Sequence, residues 1–208
     1  MSKPKTNTGE ERRTYVVELR TDSEAGSTPK IRGIAAMFNC MSEDLGGFRE
    51  QISPGAFKSA LGNSDVRALF NHDPNMILGR SASGTLRLSE SDQGLEFEVD
   101  PPDTTYARDL MESMKRGDIS QCSFGFSVDN GGDTWQRDEA GQWTRTIHVV
   151  SRLYDVSPVT YPAYTDTSCA MRSLESAQKT SVPVDNSSLR MKLDLLAGDG
   201  SFRKIEIE

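Results

Sequence analysis

Between Gln121 and Val128 the sequence reads QCSFGFSV, and its alternation of apolar and small polar residues is that of a strand with one buried face. Cys122, Phe124, Phe126 and Val128 share that face, which a core has to cover, while Ser123, Gly125 and Ser127 fall on the more open side. A strand needs neighbours, and the chain supplies them. TYVVELR, KIRGIAAMF, VRALF, TLRLSE, GLEFEVD, the segments around Trp135 and Trp143, and TRTIHVVSRLYDVSPVTYP all carry the β-branched and aromatic density of strands. DSEAGSTP reads as a loop, and DQG and EAGQ as turns between paired strands. From VRALF to GLEFEVD the pattern predicts antiparallel sheet.

Two helices interrupt the strands. In TTYARDLMESMKRG, residues Ala107, Leu110, Met111 and Met114 recur at i, i+3, i+4 and i+7, a helical stripe that Gly117 closes. Ser53 before Pro54 marks a helix start, because proline lacks only an N–H that would be orphaned there, and a short helix FKSAL follows, stopping at Gly62-Asn63. The fold class expected is β-rich α+β.

Composition bounds the rest. With 208 residues, the chain has room for one domain and tails. An apolar share of 35% and a mean hydropathy of -0.55 are low for a compact enzyme, so polar segments dilute an ordinary core. They lie at the ends: residues 1–13 form a flexible N-terminal segment, 14–172 the folded domain, and 173–208 a flexible tail whose one amphipathic piece is LRMKLDLL. The net charge of -7 and the lack of a long basic block exclude a surface that tracks nucleic-acid phosphates. Neither a signal-peptide stretch nor a membrane-length apolar run is present, which predicts a soluble protein made in the cytosol. Cys40, Cys122 and Cys169 are odd in number and lack a C-x-x-C pair, and His72 and His148 lack partners at metal spacing, so neither a disulfide framework, a metal nor another cofactor is expected.

Ser123, with a glycine two residues on, has the access and backbone clearance an acyl substrate needs. Taken alone, a serine on a strand and a turn histidine in LFNHDPN are ordinary surface residues. Six separated segments change that reading: RGIAAMFN, FREQISPGAFKSAL, VRALFNHDPNMILGRSASGTLRLSESDQGLEFEVDPPDT, the helix ending in MKRGDI, QCSFGFSV and LYDVSPVTYPAYTDT. In order and spacing, over roughly residues 31–168, they resemble the prohead maturation serine proteases of tailed phages and prophages.

That resemblance implies a herpesvirus capsid-protease-like fold, a small closed β-barrel flanked by helices. It places the catalytic histidine at His72 and the nucleophile at Ser123, and it puts a third member at Asp155 of LYDVSPV, with His148 as the competitor suggested by the herpesvirus enzymes. An imidazole makes a weak hydroxyl nucleophile competent by taking its proton. Arg145 and Arg152 are candidates for holding an oxyanion-stabilising water, though each also reads as an ordinary surface arginine. The implied activity is endopeptidase cleavage of capsid scaffold segments, and of the protease itself, in the host cytoplasm inside the assembling procapsid. The implied partners are the major capsid protein or its scaffold segment and a second copy of the chain paired through helices, with Met111 and Met114 serving as core or as part of that contact. The alternatives are a non-catalytic capsid-assembly β-barrel and a cysteine protease using Cys122; the second is disfavoured because Cys122 shares the core face.

Overall fold

In chain order the elements are β1 (Glu11–Val16), β2 (Arg20–Asp22), β3 (Lys30–Met37), β4 (Phe48–Ile52), α1 (Lys58–Asn63), β5 (Arg67–Phe70), β6 (Asp73–Arg80), β7 (Leu86–Glu90), β8 (Gly94–Val99), α2 (Thr105–Arg116), β9 (Gln121–Ser127), β10 (Asp133–Arg137), β11 (Trp143–Ile147) and β12 (Arg152–Val159). They come from a computed structural model that describes residues 9–16, 20–22 and 29–161. Cys169 and the C-terminal segment from 173 lie outside the described residues. No described helix is long and apolar enough to cross a membrane.

The strands form three ladders, ordered β1-β9-β12-β5-β6, β10-β11-β4 and β2-β3-β8-β7. Most pairings are antiparallel, as the sequence predicts for β7–β8, and β5 pairs antiparallel with β6, a strand not read from the sequence, but β12 runs parallel to β5 and β11 parallel to β4. One core joins the first and third ladders. Phe124 and Phe126 stack at 4.9 Å, Phe57 meets Phe124 edge-on at 5.7 Å, and Ile31, Leu95 and Phe97 belong to the same cluster. Phe57, Phe124 and Phe126 have no solvent exposure, and fully burying such a ring contributes about 2–3 kcal/mol.

The closed barrel is not found: among the described residues, each ladder ends on strands that lack a further backbone partner. Where β1 meets the three-stranded sheet, side chains replace a ladder. Arg13 binds Glu50 through two nitrogens at 2.8 and 2.9 Å and Glu11 at 2.7 Å, and Arg145 binds Glu11 at 2.7 Å, Glu50 at 2.9 Å and Asp133 at 2.6 Å. The other end of the five-stranded ladder, β6, carries Pro74, which has no N–H to offer a further strand.

Three local expectations are corrected. Strand β1 begins at Glu11, so residues 11–13, read as part of the N-terminal segment, are strand, and Glu11 and Arg13 are buried because each finds an opposite charge inside. Helix α1 starts at Lys58 and has no capping side chain; Gly55, at φ 88, turns the chain where a helix from Ser53 would have run, and the Ser53 hydroxyl contacts His148 Nδ1 at 3.1 Å instead. Ser123, Gly125 and Ser127 are buried rather than open, so both faces of β9 are covered.

Helix α2 forms where its stripe predicts, with Ala107, Leu110, Met111 and Met114 buried. Gly117 takes φ 81, its N–H bonds to Met114 O at 3.0 Å and the Asp118 N–H to Ser113 O at 3.0 Å, the paired closure of a Schellman motif. The Met111 and Met114 side chains sit in the core cluster, so they are packing residues.

Candidate active site

Strands β5 and β6 are joined by a two-residue turn. Phe70 pairs with Asp73, and between them Asn71 and His72 take φ 54 and φ 57. Two consecutive positive φ values define the tight hairpin turn that matches the twist of its strands, and its second position ordinarily carries glycine. A histidine there is held against a conformational preference of about 1–2 kcal/mol. The surroundings enforce it. The Asn71 N–H donates to Pro158 O at 3.0 Å, Asn71 Nδ2 donates to Thr160 Oγ1 at 3.1 Å, and the Thr160 N–H donates to Asn71 Oδ1 at 2.8 Å. The turn is thereby fastened to the end of β12, the strand that carries Asp155.

Antiparallel pairing of β9 with β12 sets Ser123 opposite Ser157 and Gly125 opposite Asp155. Residues two apart on a strand share a face, so these four positions form one small patch, and His72 reaches it from the neighbouring hairpin. His72 Nδ1 lies 2.6 Å from Asp155 Oδ1, and His72 Nε2 lies 2.7 Å from Ser123 Oγ. A carboxylate only accepts hydrogen bonds, so Nδ1 carries the proton and Nε2 is left to accept from the serine hydroxyl. The Ser157 hydroxyl donates to the same Asp155 Oδ1 at 2.7 Å. Ser123 and Ser157 are fully buried, and the His72 side chain is 6% exposed.

The clearance given by Gly125 is used by Asp155. A Cβ at Gly125 would stand 2.8 Å from Asp155 Oδ2, closer than a Cβ tolerates, and 3.1 Å from Glu10 Oε1, a tight contact. The carboxylate therefore lies over the bare backbone of β9.

His72, Ser123 and Asp155 are thus brought together, whereas His148, Arg145 and Cys122 stand outside this hydrogen-bonded set. His148 Nδ1 faces Ser53 Oγ and its Nε2 faces Thr134 Oγ1 at 2.9 Å, away from the patch. Arg145, read as a surface arginine or an oxyanion-site candidate, is 2% exposed and committed to Glu11, Glu50 and Asp133. Cys122 is buried on the core face, and burial pushes its thiol well above the ordinary range, the opposite of what a thiolate nucleophile needs. Arg152 is exposed, with its guanidinium 4.9 Å over the Tyr154 ring, and it lines a pocket of about 280 Å³ bounded also by His72, Asp155, Leu69 and Leu153.

Two site residues were missed by sequence reasoning. Ser157 was visible as the serine of LYDVSPV, two residues beyond Asp155 and so on the same strand face. Glu10 gave no such signal, since it stands among polar residues before the first apolar run.

A hydroxyl bonded to an imidazole that is bonded to a carboxylate, held on a β-rich α+β frame, is the arrangement of a serine hydrolase. The family model for caudovirus prohead serine proteases matches residues 16–181, well over half of the chain, and the chain belongs to that family. It is a serine endopeptidase with a role in capsid maturation, acting on capsid or scaffold proteins inside the procapsid in the host cell. No curated protein and no solved structure matched the chain.

Proposed function

We propose that Ser123 is the nucleophile, His72 its general base and Asp155 the carboxylate that orients the imidazole. The observation that carries this reading is the unbroken chain of short hydrogen bonds from Asp155 Oδ1 through both ring nitrogens to Ser123 Oγ. In the acylation step His72 Nε2 takes the hydroxyl proton as Oγ attacks the scissile carbonyl, then returns it to the leaving amine, leaving an acyl-serine. Water, activated by the same nitrogen, releases the second product. Asp155 stays ionised throughout and steadies the imidazolium, and Ser157 holds the carboxylate in place. Backbone N–H groups would stabilise the oxyanion. Because Ser123 has no solvent exposure, an acyl group gains access through local opening on that side of β9.

The substrates in this reading are the capsid protein's scaffold segment and the protease itself. The catalytic domain starts with strand β1 at Glu11 and runs to residue 172, and 173–208 form a targeting or self-cleaved tail. A second copy of the chain is a further partner. The herpesvirus-protease-like architecture belongs to the same proposal, supported by the packing of β3 against β1 and β9 around a shared core. A purely structural assembly role draws no support from a strained histidine placed in hydrogen-bond reach of a buried serine. Co-expression with the capsid protein, followed by mass mapping of the products, tests the substrate assignment: fragments should appear with the wild type and be absent with Ser123→Ala, while an intact capsid protein beside wild-type enzyme would contradict it.

A further inference from the structure

The pocket beside His72 is charged, and its charges are unequally committed. Glu10 accepts from Arg12 at 3.0 Å. Asp65 accepts from Arg67 at 3.2 Å and from Arg80 Nε at 2.9 Å, so that carboxylate is already shared by two cations, which hold it down to about 2. Asp155, the third carboxylate on the wall, is buried and turned to His72 and Ser157. Arg152 is the remaining cation. Among the described residues it has no carboxylate partner, and its guanidinium is parked on the face of Tyr154. Stacking leaves the edge of a guanidinium free, and that edge is a fork of donors matched to a carboxylate. Apolar side chains of Leu69 and Leu153 line the same pocket and suit the methylene stem of such a side chain.

We infer that Arg152 is a specificity-determining residue and that the pocket it lines receives an acidic side chain, glutamate or aspartate, of the peptide substrate close to the scissile bond. The inference rests on the catalytic reading of His72 and Ser123 given above. Since His72 itself forms part of the wall, and an extended peptide advances about 3.3 Å per residue, the acidic residue lies within about three positions of the bond cut. Recognition at an exposed arginine of this kind is worth about tenfold in kcat/KM and is weakened by salt.

The test is digestion of a peptide mixture of known sequences by the full-length enzyme, with cleavage sites mapped by mass spectrometry and the ratio of acid-flanked to amide-flanked cleavage taken within each digest. The wild type should favour Asp and Glu over Asn and Gln by about tenfold at one position, less at high salt. Arg152→Gln should bring that ratio near one, and Arg152→Glu should turn the preference toward Lys and Arg at the same position. Cleavage by the wild type without acidic enrichment, or an enrichment that both variants retain, overturns the assignment of Arg152 while leaving the protease reading intact. No cleavage at all, together with no reaction of Ser123 with a fluorophosphonate, overturns both.

Discussion

Gly125 and Asp155 face each other across β9 and β12, and the Asp155 carboxylate occupies the volume that a Cβ on Gly125 would need. Positioning of the base thus depends on an absent side chain. Gly125→Ala should push the carboxylate off the strand and tilt the imidazole, lowering kcat by about 10²-fold with a smaller change in KM. Steady-state kinetics on a peptide substrate checks this; an alanine variant with wild-type kcat would show that Asp155 has slack at this position.

Asp155→Asn should keep the fold but reverse the hydrogen-bond logic at Nδ1, favouring the tautomer that cannot accept from Ser123. A chymotrypsin-type triad loses about 10⁴ in turnover on the corresponding change, which sets the scale. His148→Ala should be mild, since His148 contacts Ser53 and Thr134 instead. Comparing the two variants' kcat values decides between the carboxylate and the second histidine.

At the hairpin, Asn71→Ala and Asn71→Gly both remove the links to Thr160, but only glycine adopts φ 54 without steric cost. Asn71→Ala should be the less stable of the two by about 1 kcal/mol, and both should lose turnover because His72 is no longer fastened to β12. Denaturant midpoints and kcat measured on the pair separate strain from anchoring.

The buried ion network makes stability sensitive to acid. Burial alone would raise the Glu11 carboxyl, but Arg145 and Arg13 beside it outweigh burial and hold it below its ordinary 4.5. A folded-state value below the unfolded one contributes stability that is fully present above pH 4.5 and is lost as pH falls through the folded value. Unfolding free energy should therefore be level with respect to Glu11 above about pH 5 and decline in more acidic solution. Arg145→Ala leaves Glu11 and Glu50 facing Arg13 alone and strips Asp133 of its cation, and it should cost about 3–5 kcal/mol at neutral pH. Urea unfolding across pH checks both statements.

Where local periodicity governs structure, the sequence was readable: the core face of β9 and the stripe of α2 follow from spacing alone, because each is fixed by its own residues. The site was legible in part. His72 and Ser123 came from motif resemblance, and LYDVSPV carried Asp155 and, unread, Ser157. What was hidden depends on partners distant along the chain. Glu50 alternates with Phe48 and Ile52 toward the interior of β4, but a charge at an inward position masks the strand pattern, and only Arg13 and Arg145 make it tolerable there. Arg145 likewise reads as surface until Glu11 and Asp133 are placed against it. The covered face of Ser123 escaped for the same reason: alternation tells which side chains share a face, not what lies over it.

The central claim, that Ser123 is made nucleophilic by His72, is tested most directly by fluorophosphonate labelling of the full-length chain with peptide mapping of the adduct. The account predicts a single adduct on Ser123, formed by the wild type and lost or greatly slowed in His72→Ala although that variant remains folded by circular dichroism. An adduct on another residue, or Ser123 labelling at the same rate with and without His72, would contradict it.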